Sequence, residues 1–213
     1  MIRPEDIQVP QISVEEIWAL ADEFRAEQGE WGNRPVDIER ILDLNLGFTI
    51  QTKRKLKEKT GTDAMLLAGD KKVIAVDYDE FHDPGSWPML HFSMAHELGH
   101  YLLHKVKFDI YKDANFQNVD DWVAFLNAIP LDVHFNLEQQ ANQFAGRLMV
   151  PKDELMEKLE EALYKKGLRP PVSDEDFNAV TSRLGRKFGV SSKCIEVRMD
   201  RESINIRAAG ENN

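Results

Sequence analysis

The chain has 213 residues, and its 37 acids against 27 bases leave a net charge of −10, a balance that excludes a general binder of nucleic acid or anionic membrane. A single cysteine, Cys194, excludes an internal disulfide and fits a reducing compartment. No stretch approaches the length of a membrane span and Met1–Asp6 has no apolar signal core, so the expectation is one cytoplasmic domain with a modest appendage, its core fed by four tryptophans and eleven phenylalanines.

In chain order, Ser13 and Glu16 form a capping box for a helix over 14 to 28, with Ile17, Leu20, Ala21 and Phe24 as its stripe and Gly29 as its stop. Pro35 opens a second helix through Ile38, Ile41 and Leu42 that ends near Gly47. Phe48 to Thr52 alternates as a strand, and the basic run Lys53 to Lys59 reads as a solvated loop. Ala64 to Ala68 and Lys71 to Val76, separated by Gly69-Asp70, read as a β-hairpin. A loop rich in Asp, Pro and Gly follows from Tyr78 to Trp87, with His82 as a surface residue.

The stretch from His91 to His104 carries the chemistry. Ser86 and Pro88 suit a helix start, and apolar residues on more than one side predict a buried helix. Within it stands H-E-x-x-H, spelled His96-Glu97-Leu98-Gly99-His100. Residues i and i+4 share a helix face, so both imidazoles can turn to one metal ion while Glu97 beside them handles a proton. Zinc catalysis then needs a third protein ligand and a fourth position open to water. The metzincin continuation is excluded, because it requires Gly and His where Leu103 and Val106 stand. His104 lies two turns beyond His96, roughly 12 Å along the axis, and reads as a helix-end residue rather than a ligand.

Residues 105 to 136 hold many large apolar groups for a loop, and a short helix over about 119 to 129 would pack Trp122, Phe125, Leu126 and Ile129. This region is either a lid shaping specificity or a self-packed satellite. A second amphipathic helix runs from its cap at Asn136 to Pro151, with Leu137, Ala141, Phe144, Ala145 and Leu148 on one stripe. Ala95 and Gly99 on the first helix, and Ala141, Ala145 and Gly146 on the second, are small enough for close approach. That approach would bring Glu138 to the metal; the alternative is a solvent-facing first-turn glutamate. His134 could steady a tetrahedral intermediate or be a plain loop histidine, and Tyr101 is a second candidate for the oxyanion partner.

Beyond Pro151 a helix packs Leu155, Met156, Leu159 and Leu163 and ends at Gly167. Ser173 caps a helix carrying Phe177, Val180, Leu184 and Phe188, which Gly189 ends, and Ser191 caps one more with Ile195 and Met199. Helix, tight Gly-Val-Ser turn, helix is the outline of a helix-turn-helix, so 173–201 is a candidate DNA contact, though docking or packing accounts for it as well. The division expected is a main domain over 1–167, a packed helical segment over 168–205 and a loose tail over 206–213.

The two central motifs together resemble the ImmA/IrrE-type metallo-endopeptidases, a family related to the gluzincins. The matching stretches are Phe92 to His104 and Glu138 to Pro151, with weaker similarity at Val9 to Ser13, Pro35 to Ile38 and Leu184 to Ser191. The resemblance implies an α+β, mostly helical, zincin-like fold whose small sheet packs on the H-E-x-x-H helix. It implies zinc held by His96, His100 and Glu138, with Glu97 as catalytic base, and a protein substrate that is often a helix-turn-helix repressor. In related zinc peptidases an edge strand pairs with the extended substrate, a role expected here for Val73 to Asp77. A zinc-bearing regulator that acts by binding protein or DNA is the alternative.

Overall fold

In the computed structural model, residues 7–29, 32, 35–67, 72–104, 121, 124, 125 and 127–207 are described. The elements run α1 (Val14–Glu27), α2 (Ile38–Arg40) continuing as a π-helical turn over Ile41–Asn45, β1 (Thr49–Lys53), α3 (Leu56–Thr60), β2 (Ala64–Leu67), β3 (Val73–Asp77), α4 (Tyr78–His82) and α5 (Trp87–Leu103), then α6 (Leu131–Met149), α7 (Lys152–Lys166), α8 (Asp174–Phe188) and α9 (Ser192–Arg201). The fold is α+β and mostly helical, with one small mixed sheet.

The predicted caps at Ser13, Ser173 and Ser191 form as read: each hydroxyl accepts the backbone N–H three residues on. Two boundaries and one cap differ. The second helix starts at Ile38 because the Asp37 carboxylate accepts the Arg40 N–H. Ser86 precedes α5 but gives it no side-chain cap, its hydroxyl donating instead to Asp83. The helix expected from Asn136 begins at Leu131 after Pro130. Its first turns hide in the sequence because Leu131 and Phe135 are apolar yet exposed, which breaks the periodicity.

The basic run after β1 is no simple loop. Leu56 is buried, and Lys57 pairs with Asp63 and Glu80, pinning α3 beneath α4. The sheet order is β1-β3-β2, with β1 parallel and β2 antiparallel to β3. Val73 to Asp77 is therefore the central strand, hydrogen-bonded on both sides, and cannot be the edge that receives a peptide. The edges of the sheet are β1 and β2. A hairpin reading could not foresee this, because the parallel partner β1 comes from more than 20 residues upstream, beyond the reach of local pattern.

One face of the sheet packs on α5 in the main core, which runs from Ile17 to Ile206 and includes Leu90, Met94, Leu98, Phe144 and Leu148. Met65 on the other face joins a smaller cluster with Ile7, Ile129 and Leu137. Of the helix expected over 119 to 129, residues 121, 124, 125 and 127 are helical and Ile129 is buried, while 119, 120, 122, 123 and 126 lie outside the described residues. At the C-terminal end, residues 206 and 207 are not loose: the Val172 N–H donates to Ile206 O at 2.8 Å, and the Arg207 guanidinium lies 3.6 Å from the Phe177 ring centre. Among the described residues, no helix is long and apolar enough to cross a membrane.

Candidate metal centre

The centre is built where α5 crosses α6. A Cβ on Gly99 would lie 3.1 Å from the Ala141 carbonyl oxygen and 3.2 Å from the Ala141 Cα, so the absence of a side chain there sets the helix separation. Gly146 serves a different neighbour, leaving room for the Arg198 side chain from α9. At the separation Gly99 permits, Glu138 of α6 faces His96 and His100 of α5.

The two histidine nitrogens and the Glu138 carboxylate form a close cluster, each histidine meeting a different carboxylate oxygen. His96 Nε2 and His100 Nε2 are 2.9 Å apart, His96 Nε2 lies 3.0 Å from Glu138 Oε2, and His100 Nε2 lies 3.1 Å from Glu138 Oε1. A tetrahedral ion with bonds of about 2.0–2.1 Å needs neighbouring ligand atoms roughly 3.3 Å apart, so small side-chain shifts would admit zinc. Two neutral imidazoles and one carboxylate are also a donor set that zinc takes with a position left open. Burial works against a charge on Glu138, but the hydrogen bonds and charge of His100 and His96 hold its carboxyl far below the usual carboxylate range. Burial also opposes protonation of His96, yet Glu138, Glu97 and Asn142 together hold its pKa above the ordinary histidine value. The cluster is organised around a positive charge.

Glu97, one residue after the first ligand, is steered by the sheet: its Oε2 accepts the Leu66 backbone N–H at 2.8 Å. Leu66 lies on β2, so the edge strand touches the proposed base directly. The other nitrogen of each ligand histidine also has a partner. His96 Nδ1 meets Asn142 Oδ1 at 3.0 Å, and His100 Nδ1 meets His104 Nδ1 at 2.9 Å. His104 is, as read, the residue that ends α5, and its buried ring also backs His100. Its signal in the sequence was the repeat of the i+4 step, His96, His100, His104. Asn142, one turn after Glu138, had the same kind of signal.

His134 lies in the first turn of α6, its Nε2 3.9 Å from Glu138 Oε1, so the structure brings it to the cluster. Tyr101 packs edge-on against Phe48 with ring centres 5.0 Å apart, and its ring belongs to the core side of α5. His82 is exposed, as read, and bonds within its own turn to Tyr78 O.

The profile of the peptidase family described as the IrrE N-terminal-like domain matches residues 86–200, more than half of the chain. The chain belongs to this family. No curated protein matches it. Among solved structures, a Mycobacterium tuberculosis transcriptional regulator is similar, with a TM-score of 0.52 and 18% identity over 87% of this chain. At that identity the likeness concerns the fold, and this chain spans 46% of that protein's length. The family match covers α5 through most of α9, so it includes all three clustered side chains and the proposed base.

Proposed function

We propose that the chain is a zinc-dependent endopeptidase that hydrolyses peptide bonds in one or few cytoplasmic regulatory proteins, a helix-turn-helix repressor being the substrate class that the family resemblance favours. The observation that carries this reading is the placement of Glu97, a carboxylate beside a three-donor cluster and tied to an edge strand. A purely structural metal site would be closed by a fourth ligand and would have no use for a base.

In this reading His96, His100 and Glu138 hold the ion. Bound zinc supplies Lewis acidity, lowering the pKa of a water toward about 7 and polarising the scissile carbonyl. Glu97 would take a proton from the attacking water as the water's oxygen bonds to the carbonyl carbon and the carbonyl π pair moves onto its oxygen. The same carboxyl then gives the proton to the amine nitrogen as the C–N bond breaks. His134, one turn from Glu138, is placed to donate to the developing oxyanion. Leu66 orients Glu97 throughout and keeps it from turning away from the cluster.

A second reading is a zinc-bearing regulator that acts through binding, and the fold likeness to a transcriptional regulator favours it. One comparison separates the two: new protein N-termini in cells expressing wild type or Glu97→Gln. Cleavage of one or a few proteins by wild type alone supports the peptidase and names its substrate. Matching N-termini in growth and under stress would overturn it in favour of the binding regulator.

A further inference from the structure

The hydrogen bonds behind His100 continue beyond His104, and their direction can be assigned from the far end. Gln140 Nε2 lies 2.8 Å from the Pro10 carbonyl oxygen. A carbonyl oxygen only accepts, so the Gln140 amide must point its nitrogen there. Its Oε1 therefore faces His104 Nε2, 2.9 Å away, and that nitrogen must carry hydrogen and donate. A neutral His104 then has a bare Nδ1, which accepts from His100 Nδ1. Once His100 gives up the Nε2 proton that it shares with Glu138, its Nε2 lone pair is directed at Glu138 and His96, the tautomer that would bind a metal.

The chain crosses three parts of the fold. His100 and His104 stand on α5, Gln140 stands on α6 two residues after Glu138, and Pro10 lies in the segment before α1. That segment is anchored: Ile7 is buried against Met65, Ile129 and Leu137, and Val9 packs on the same cluster. His104 is 2% exposed, so its pairing is shielded from water.

We propose that His104 and Gln140 are positioning residues for the ligand His100, and that the segment from Ile7 to Pro10 is the outer anchor that holds them in register. This rests on the metal reading above. It makes metal affinity depend on a segment more than 80 residues before the ligand it serves. Anything that lifts Ile7 and Val9 from their cluster loosens the metal without touching a ligand.

The test is metal affinity, measured on the full chain by competition with a chelator, together with the visible spectrum of the cobalt-substituted protein. Gln140→Leu keeps the size of the side chain but removes the acceptor, and its zinc affinity is expected to fall by about 10- to 100-fold. Its cobalt spectrum should shift as His100 reorients. Gln140→Glu keeps an acceptor for His104 but has no donor for the Pro10 carbonyl, so both readouts should lie between wild type and Gln140→Leu. His104→Leu should resemble Gln140→Leu, and if it fails to fold the Gln140 pair still decides. Ile7→Asp should weaken zinc binding in wild type but have little further effect in Gln140→Leu, because both act through one chain. A folded Gln140→Leu with wild-type affinity and spectrum overturns the proposal, and a Gln140→Glu equal to wild type overturns the part played by the Pro10 contact. An Ile7→Asp effect of equal size in both backgrounds overturns the role of the anchor. A wild type that takes up neither ion fails the metal reading itself, and that result is distinct from the others.

Discussion

Glu97 and its donor give the sharpest residue-scale test. The Leu66 N–H is a hydrogen bond to a charged group, worth about 1.5–3 kcal/mol, or roughly 10- to 100-fold in a rate if the bond orients the base. Leu66→Pro removes this donor on an edge strand, where the lost N–H faces away from the ladder, and because it also removes a buried side chain its unfolding is measured alongside. Cleavage should fall within that range while zinc affinity stays unchanged; a loss of zinc would show that β2 supports the ligands and not the base. Substituting a ligand should do the reverse: His96→Ala and Glu138→Ala should abolish tight zinc binding in a titration, and full occupancy in either would refute the ligand assignment. The letters H-E-x-x-H made His96, Glu97 and His100 readable, because side-chain chemistry and helical spacing are both written in sequence. Leu66 was not readable, since a backbone donor has no letter of its own. The i+4 step reached His104, but its link to Gln140, 36 residues downstream, was not readable.

Among the elements, the contact between α5 and α6 depends on a missing side chain. Two of the three atoms nearest a new Cβ on Gly99 belong to the Ala141 backbone, which cannot swing aside as a flexible side chain can. Gly99→Ala should therefore destabilise the fold by about 1–3 kcal/mol in denaturant unfolding and weaken zinc binding by parting Glu138 from the histidines. An unchanged midpoint would mean that the helices separate at little cost. The small residues on the two helices made this contact legible, but the start of α6 was not, and the central place of β3 was not either. Both depend on tertiary partners and not on local pattern. At the other end of α6, Glu202 is 2% exposed at its side chain and joins three elements: it accepts from Arg147 at 2.6 Å and from Arg198, and it lies 3.3 Å from Lys152 Nζ. Burial alone would raise its pKa, but the Arg198 charge and the other two cations lower it below the ordinary 4.5. A depressed carboxylate stabilises the folded state above the unfolded-state pKa, and that contribution is lost as pH falls below about 4.5 toward the folded value. Glu202→Gln should cost about 3 kcal/mol near neutral pH and leave a shallower loss of stability on acidification. An acid limb as steep as that of wild type would remove Glu202 from the explanation.

Taken over the whole molecule, charge decides whether the helix-turn-helix outline reads DNA. The inner face of α9 is committed to the core through Ile195, Arg198 and Met199, and Arg198 also bonds to the Val150 carbonyl and stacks over Trp18. Its outward face sets Lys193 and Arg201 against Glu196 and Asp200, leaving no surplus of positive charge. The local excess of basic residues sits elsewhere, around a cavity of about 420 Å³ between α7 and α8 lined by Lys158, Lys165, Arg183, Arg186 and Lys187 with Glu161 among them. Lys158 and Lys165 both pair with Glu161, so the two arginines and Lys187 supply most of the field there. In a chain of net charge −10, such a patch attracts phosphate only while salt is low, because screening at 0.15 M confines its reach to about 8 Å. Fluorescence anisotropy with duplex DNA should therefore detect weak binding at low salt that vanishes near 0.15 M, and Arg186→Glu with Lys187→Glu should abolish the remainder. Binding that persists at 0.15 M and survives that double substitution, yet fails on Lys193→Glu with Arg201→Glu, would make α9 a reading helix. The regulator would then act on DNA directly, and proteolysis would no longer be needed to explain how the chain influences transcription.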